Sequence, residues 1–449
     1  MEPRTRGRRA RHRSAATEAT NRRAIEWRPA TVLVSVNLID GVSENIVPGV
    51  LPFLQDEWGF GDTLGGAIPT AAALVGIVVL LPAGWMADHL RRTRLLAVVV
   101  GTWAVVTTAS ALATAFWVFF LTRLVLGAAT HVDNPSASSL LADYYPPRVR
   151  GRVFGYQRVA NTIGAALGIL VGGVLGQWLG WRAPFLIMVV PGVLVAAACL
   201  SLRDPERGES ERFVAEDLHP PADTILELDA ADPPRLRPRE YLGEVRAVLR
   251  IPTVRVLYLG LAVTFVGLNS IVFWLPSFLE RTYALGEGAA AAITGGVGLA
   301  AALGGSVVGG VVGDRRAAVA RAERITLVST SLFVGGVGVI IALALRGLAL
   351  QMVLALGAAF CILVAVPNFA AAAAEVLPPR RRGTGFAIFT FVLVAGGALG
   401  PLLVGALSDA TGSLRLALIA AAVPAVPGSL LVARARHTID ADAASARAH

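Results

Sequence analysis

Apolar runs of about twenty residues recur along this 449-residue chain, and they constrain its fold more than any other feature. A helix of about that length crosses the hydrocarbon core of a bilayer. Only 16% of the residues are charged and 55% are hydrophobic, whereas a soluble domain carries roughly a quarter charged residues. A soluble core could not bury this much apolar surface, so the sequence predicts a protein that crosses the membrane many times.

Twelve spans are predicted, in two six-helix bundles that cover 31–202 and 254–434. Glycine and alanine fill the spans, which favours helices packed closely in lipid over the alternating strands of a β-barrel. The predicted fold class is therefore an all-α membrane protein. The spans are 31–54, 64–87, 95–115, 117–142, 153–179 and 182–202, followed by 254–279, 289–313, 325–345, 349–376, 384–408 and 414–434.

Three polar segments flank or separate the bundles. Residues 1–30 are rich in arginine and predict a disordered basic tail, and residues 435–449 predict a second tail. Residues 203–253 combine acidic residues with prolines, which is typical of a linker. Within this linker, residues 239–250 predict a short amphipathic helix on the membrane surface.

A duplication relates the two groups of spans. Residues 143–151 align with 375–383 at an offset of 232 positions, and the same offset aligns Gly164 with Gly396. The end of span two also matches the end of span eight, with its loop on the same side of the membrane. Parallel repeats of this kind place a cavity between the halves.

Arginine supplies every basic side chain outside the histidines, because the chain contains no lysine. Arginines cluster after spans two, four, eight and ten, so the positive-inside rule places those loops and both termini in the cytoplasm. The predicted location is a bacterial inner membrane. Without lysine the chain cannot build the Gly-Lys-Ser/Thr phosphate loop of a nucleotide-driven pump. Transport would then draw on a proton gradient and need no cofactor.

The loop after span two resembles the signature loop of the major facilitator superfamily. That motif reads Gly, three residues, Asp, Arg, any residue, Gly, Arg, and Arg or Lys, and this chain keeps Gly84, Asp88 and Arg92. The resemblance covers residues 31–434 and implies a secondary transporter whose two bundles rock about a central site. It also implies a gating role for these three residues, together with Asp314 at the end of span eight.

Within the superfamily, the first half resembles the Spinster-type group, which includes exporters of lysophospholipids and sphingoid lipids. Asp40 in span one and Arg123 with Gly127 in span four carry this resemblance. In that group the span-four arginine is followed seven residues later by a glutamate implicated in proton coupling, and here the position is Thr130. The Gly400-Pro401 pair of span eleven resembles the drug and proton antiporters.

Ionisable side chains inside a span are unfavourable unless they are paired or hydrated, so each is a functional candidate. Asp40 and Glu44 lie one turn apart on span one. A rise of about 1.5 Å per residue places Arg123 of span four at a similar depth. We expect Arg123 to pair with one of these carboxylates, and we expect a second, inner pair between Asp133 and Arg158.

Proton coupling requires a group that can alternate between charged and neutral forms. A carboxylate that loses its arginine partner or its water can take up a proton. Asp40 is the first candidate for the proton carrier and Glu44 the second. His131 is the third, because an imidazole titrates near neutral pH. Arg123 would act as the switch, or alternatively would only lock helices together.

The second half carries almost no charge within its spans, which predicts a cavity with one charged wall and one apolar wall. Such a cavity suits an amphipathic substrate. Aromatic side chains of the second half could equally serve only as packing. The predicted cavity residues are Asn37, Asn45, Thr130, Asn269, Phe273, Trp274 and Asn368.

The function predicted from these features is proton-coupled export of a lipophilic or amphipathic small molecule, such as a drug-like compound or a lysolipid. Uptake of a small organic anion drawn to Arg123 is one alternative, and a non-transporting receptor or scaffold is another. The expected partners are the substrate, protons and membrane lipids, with no nucleic acid, and the expected state is a monomer.

An enzyme is not predicted. The sequence lacks an HExxH motif and a complete nucleophile elbow. Its two cysteines, Cys199 and Cys361, fall in different halves and are too few for a structural zinc site. No metal site is therefore predicted.

Overall fold

A computed structural model of the chain describes residues 26–205, 238–378 and 381–448. Within these residues every regular element is helical, and twelve helical segments are long and apolar enough to cross a membrane. The predicted all-α fold with twelve spans is confirmed. Residues 1–25 of the predicted tail and 206–237 of the predicted linker lie outside the described residues.

The α-helices are numbered here in chain order, and those of the first bundle are α1 to α6. They are α1 (Arg28–Trp58), α2 (Asp62–His89), α3 (Arg92–Ala111), α4 (Phe116–Tyr144), α5 (Pro147–Leu179) and α6 (Arg182–Leu200). The linker helix and the second bundle follow, as α7 (Pro238–Leu249), α8 (Pro252–Tyr283), α9 (Glu287–Val319), α10 (Arg321–Ala344), α11 (Leu348–Val376), α12 (Arg382–Thr411), α13 (Leu414–Ala422), α14 (Ala425–Ala433) and α15 (Ile439–Ala448). We call the end of the molecule at which α1 begins the near end, and the end at which α1 finishes the far end.

The twelfth span is interrupted. The sequence predicts one helix over 414–434, but the structure divides it into α13 and α14 at Val423 and Pro424. Proline lacks the backbone N–H that a continuous helix would use and its ring crowds the preceding turn, so the break falls there.

The two bundles meet along two pairs of helices. Helix α2 packs against α12, and α5 packs against α9. A Cβ atom at Gly66 of α2 would lie 2.1 Å from the Pro401 carbonyl oxygen, and a Cβ atom at Gly295 of α9 would lie 2.7 Å from that of Ala166. Residues without side chains allow helix backbones to approach this closely in a membrane. We call the surface along which the bundles meet the seam.

An ion pair of a buried arginine with a carboxylate is repeated in the two bundles. Arg92 pairs with Asp143 in the first bundle, and Arg324 pairs with Glu375 at 3.2 Å in the second. Both members of the second pair lie 232 positions after their counterparts, which is the offset found in the sequence. The duplication therefore extends from the sequence to the contacts that join neighbouring helices at the near end.

Two chain segments beyond the predicted bundles are also helical. Helix α7 begins at Pro238 and ends at Leu249, which agrees with the amphipathic helix predicted at 239–250. The C-terminal residues, predicted only as a tail, form α15, in which Ile439 and Ala443 are buried. Asp442 accepts a hydrogen bond of 2.8 Å from the backbone N–H of Thr253 at the start of α8. Helix α15 is thus packed against the second bundle.

We predict that Arg92→Gln lowers the thermal stability of the purified protein far more than Arg316→Gln. Arg92 is 2% exposed and also donates to Ser139 at 2.9 Å and Asp204 at 3.1 Å, so its loss removes the positive charge between two half-buried carboxylates, at about 3 kcal/mol. Arg316 forms an exposed pair with Glu323, worth below about 1 kcal/mol. Melting in detergent measures both changes, and equal shifts would contradict the structural role of Arg92.

Candidate transport site

Helix α1 has two functionally different faces. One packs against α5 so closely that a Cβ atom at Gly164 would lie 2.3 Å from the Leu38 carbonyl oxygen. Further glycines of α5 repeat this contact one and two turns farther along. With 3.6 residues per turn, Asp40 and Glu44 fall on the opposite face of α1. The packing of α1 on α5 thus turns both carboxyl groups away from α5.

Asp40 and Glu44 form an acidic cluster with Thr130 of α4. Asp40 is 7% exposed, and the Thr130 hydroxyl donates a hydrogen bond of 3.2 Å to its Oδ1 atom. Asp40 also interacts electrostatically with Glu44 and with Asp133. Neither Asp40 nor Glu44 forms an ion pair with another described residue. Two carboxyl groups therefore lie together in the middle of the membrane without a described arginine to neutralise them.

Two exposed polar side chains lie at the level of this cluster. Glu44 is exposed although it lies in the interior of a 31-residue helix, and Asn269 of α8 is exposed as well. Each lies 14 residues from the far end of its helix, at Trp58 and Tyr283 respectively, so the two share one depth. Because α1 and α8 belong to different bundles, we infer that the predicted cavity lies between the bundles beside these two positions.

Arg123 does not pair with either carboxylate, contrary to the prediction. Its guanidinium donates to the Ser110 hydroxyl and lies 5.1 Å and 5.2 Å from the ring centroids of Phe119 and Phe185. It is 4% exposed, and its Nε atom has no hydrogen-bond partner. Cation–π contacts of this kind stabilise a desolvated arginine. Arg123 therefore lies among α3, α4 and α6 rather than in the cavity.

The error in this prediction has a geometric cause. The predicted spans end α1 at residue 54, but α1 continues to Trp58, so Glu44 lies deeper than expected. Thr130 lies 14 residues after the start of α4 at Phe116, at the depth of Glu44, whereas Arg123 lies only 7 residues after it. At about 1.5 Å per residue, Arg123 is about 10 Å closer to the far end.

The predicted inner pair between Asp133 and Arg158 is also not formed. Asp133 is 3% exposed and interacts electrostatically with Asp40 and Cys199, whereas Arg158 is exposed. Both residues lie 11 positions from the near end of their helices, so the predicted depth is correct. They differ in burial, because Asp133 lies inside the first bundle and the Arg158 side chain is exposed.

Several predicted cavity residues serve instead as packing. Asn368 of α11 is 2% exposed and donates to the Gly309 carbonyl of α9 at 2.8 Å. Trp274 is fully buried and donates to the Pro401 carbonyl at 3.0 Å, and Phe273 packs edge-on against it. Asn368 and Trp274 each join two helices and Phe273 is buried beside Trp274, so the aromatic pair serves as packing, the alternative left open for it.

The remaining predicted residues of the cavity are partly exposed. Asn37 and Asn45 donate to carbonyl oxygens of their own helix, at 3.1 Å and 2.9 Å. Asn269 makes a long contact of 3.4 Å with the Gly397 carbonyl. The His131 ring donates through Nδ1 to the Gly127 carbonyl at 2.9 Å. Its ring also lies against Gly76 of α2, inside the first bundle.

The predicted gating residues are only partly described. Gly84 and Asp88 lie in α2, and their side-chain positions fall outside the described part of the structure. Arg92 forms its described contacts within the first bundle, as shown above. Asp314 accepts a hydrogen bond of 3.0 Å from Arg324 in the same bundle. Within the described residues, no group of three or more His, Cys, Asp or Glu side chains is placed to hold a metal ion.

Sequence reasoning missed a polar network at the far end. It involves Gln55, Asp62, Arg281, Ser408 and Asp409, which join the two bundles. The sequence feature that could have indicated this network is the position of these polar residues at the ends of spans one, two, seven and eleven. Their pairing could not be read from the sequence, because it depends on how the bundles meet.

The family model of the Major Facilitator Superfamily matches residues 33–366. This chain belongs to the Major Facilitator Superfamily, and the predicted resemblance is confirmed. A structure described as a bacterial homologue of the human lysosomal transporter Spinster, inward-facing and unoccupied, superimposes with a TM-score of 0.79 at 22% identity. The superposition covers 93% of this chain and 99% of that one, and it supports the shared fold.

Two curated relatives extend this comparison. Protein spinster homolog 1 of Homo sapiens is 30% identical over 265 residues, which cover 57% of this chain and 46% of that protein. The chain thus spans about half the length of this relative. The gallate transporter of Pseudomonas putida is 26% identical over 431 residues, which cover 91% of each chain.

We predict that Gly164→Val destabilises the protein, because its side chain would collide with the α1 backbone that positions Asp40 and Glu44. Overpacking of this kind typically reduces stability by about 1–3 kcal/mol. Gly155→Val, in the same helix, is the matched control, since a Cβ atom there meets nothing within 4 Å. Melting temperatures compare the two variants. Equal melting would show that the close approach of α1 and α5 is not required.

We also predict that Glu44→Cys reacts with a membrane-impermeant thiol reagent much faster from one side of the membrane than from the other. The measurement uses intact cells and inverted vesicles of a Cys199→Ala, Cys361→Ala background. Ser110→Cys is the control, since Ser110 is fully buried beside Arg123. Failure of Glu44→Cys to react from either side, or reaction of both cysteines alike, would contradict the assigned cavity.

Proposed function

We propose that this protein is a proton-coupled exporter of amphipathic small molecules, in which Asp40 and Glu44 carry the coupling proton. The observation that supports it is the acidic cluster itself: two carboxyl groups in the middle of the membrane, one exposed to the cavity and neither paired with a described arginine. Charged groups at this depth are unfavourable without partners, so their presence favours a role in ion or substrate movement.

The proton would act by changing the charge of the cavity wall. With a proton bound, Asp40 or Glu44 is neutral and can face a dry interior, as required when the bundles close around the site. With the proton released, the carboxylate is stable only in contact with water or a cationic partner. The Thr130 hydroxyl can donate a hydrogen bond to either carboxylate as the proton leaves. It would thus stabilise the ionised form, which is the role that the sequence analysis predicted for Arg123.

The two walls of the cavity suit a substrate with two chemical characters. On the first bundle the cavity presents the carboxyl group of Glu44. On the second bundle, α8 presents Asn269 with Phe265 one turn away on the same side, and Phe265 is half-buried. An amphipathic compound could place its apolar part along α8 and its polar or basic part near Glu44. The arginine distribution supports a cytoplasmic near end, from which an exported compound would enter.

Uptake of an aromatic or other small organic anion is a second candidate. It is favoured by the gallate transporter of Pseudomonas putida, which aligns over 91% of both chains. Arg123 is buried away from the cavity and does not support this role. Arg158 does, because it is exposed on the face of α5 between the contacts with α1 and α9. A protonated acidic cluster would then admit the anion without repulsion.

We predict that Asp40→Asn abolishes accumulation driven by a pH gradient but retains exchange of substrate across the membrane without a gradient. Proteoliposomes loaded with a lipophilic dye or lysophosphatidylcholine measure both processes. Glu44→Gln should weaken both accumulation and binding, because Glu44 also faces the substrate. Glu323→Gln, an exposed carboxylate outside the cavity, is the control.

The same vesicles separate the two candidate functions. Gradient-driven uptake of radiolabelled gallate, lost in Arg158→Gln and with no movement of the amphipathic probes, would replace the export proposal with anion uptake. If Asp40→Asn accumulates substrate as well as the unmodified protein does, the assignment of the proton carrier is wrong.

A further inference from the structure

The linker helix α7 packs against the second bundle by one face. Val248 is fully buried in an apolar cluster that also contains Val254 and Leu257 of α8. Glu244, one turn earlier on the same face, accepts a hydrogen bond of 2.9 Å from Arg381, just before α12. These two contacts fix which side of α7 points outward.

The outward face of α7 carries two arginines with a leucine between them. Arg246, Leu249 and Arg250 are all exposed. The backbone N–H of Arg250 donates to the Arg246 carbonyl at 3.1 Å, so Arg250 continues the helical turn and lies on the same face as Arg246. A face that combines arginine with leucine is typical of helices that lie at the surface of a membrane.

The first turns of α8 extend this surface along the membrane span. Arg255 and Leu259 are exposed and lie four residues apart, on one face of α8. The alternate residues Leu257 and Leu261 are buried in the second bundle. Arg255 and Leu259 therefore point away from the core of that bundle.

The depth of these two side chains matches the boundary between lipid headgroups and hydrocarbon. Helix α8 has 32 residues. It is about 48 Å long and the hydrocarbon core is about 30 Å thick, so about 9 Å of a centred helix extends beyond the core at each end. Arg255 lies about 5 Å along the helix and Leu259 about 10 Å along it. A phospholipid presents its phosphate and its acyl chains at the same two depths.

We call Arg246, Arg250 and Arg255 the arginine strip. No member of the strip forms an ion pair or a side-chain hydrogen bond with another described residue. By contrast, Arg324 at the same end of the molecule pairs with Glu375 at 3.2 Å. The strip can therefore bind an anion from outside the chain, and the planar guanidinium group suits the oxygens of a phosphate.

We propose that the arginine strip binds the phosphate headgroup of an anionic phospholipid, with Leu259 beside the acyl chains. The bound lipid would fasten α7, and with it the end of the linker, to the second bundle. A soluble phosphate ester could contact the arginines but would leave Leu249 and Leu259 exposed to water, so a lipid fits the surface better. The positive-inside rule accounts for the charge of these residues but not for their arrangement on one surface with leucines. This inference does not depend on proton coupling or on the identity of the substrate.

The test measures lipid binding to the purified full-length protein in detergent. Fluorescently labelled phosphatidylglycerol is titrated against the protein, with the same label on phosphatidylcholine as the neutral comparison. The unmodified protein should bind phosphatidylglycerol saturably and phosphatidylcholine weakly. Arg246→Gln, Arg250→Gln and Arg255→Gln should each raise the Kd for phosphatidylglycerol about fivefold, which corresponds to about 1 kcal/mol for each basic residue at an anionic surface. The triple variant should bind the two lipids alike.

Arg316→Gln is the matched control, because Arg316 is an exposed near-end arginine that pairs with Glu323 at 3.1 Å, and the Kd should not change. Melting without lipid should be the same in the triple variant and the unmodified protein, which separates lost binding from misfolding. Should the triple variant melt early, the three single variants decide.

Three outcomes would overturn the proposal. They are unchanged binding in the arginine variants, equal weakening by Arg316→Gln, and full competition by glycerol 3-phosphate, which carries the phosphate without acyl chains. Since no transport is measured, failure of the coupling proposal would leave this result unaffected.

Discussion

The close approach of α1 and α5 is the contact on which the candidate site depends. Glycines of α5 lie against backbone carbonyls of α1, so α1 cannot rotate without a collision. One face of α1 is thereby committed to packing, and the other must present Asp40 and Glu44 to α4 and the cavity. In lipid there is no hydrophobic drive between helices, so shape complementarity of this kind decides which face points inward. The acidic cluster is a consequence of that packing.

The polar contacts of the protein divide into two groups with different consequences. At the near end, Arg92 and Arg324 are buried in equivalent ion pairs, each within one bundle. Buried pairs of this type are destabilising to break, so they are suited to holding each bundle together as a unit. At the far end, the bonds of Asp62 and Asp409 cross the seam and lie next to an open pocket. Bonds that water can replace are suited to breaking and reforming, as the transport proposed above requires.

Arg123 shows where sequence reasoning about the site fails. Its presence in a span correctly marks it as a residue that needs a partner, but the partner is a serine hydroxyl and two aromatic rings rather than a carboxylate. Periodicity gives the face and approximate depth of a side chain within its own helix. It does not give the position of one helix relative to another along the membrane normal. An error of four residues at the end of α1 was enough to predict Arg123 beside the acidic residues, where the structure has Thr130.

The sequence alone determined the number of membrane spans, the division into two related halves and the 232-residue repeat. It also identified the ionisable residues that lie within the spans. These properties follow from hydrophobic length and internal similarity, which are local or periodic. Only the tertiary structure decided that Asp40 and Glu44 share Thr130, that Arg123 lies outside the cavity, and that Arg281 and Asp409 join the bundles at the far end. Those pairings depend on helix rotation, relative depth and the docking of two bundles, which arise from contacts between residues distant in the chain.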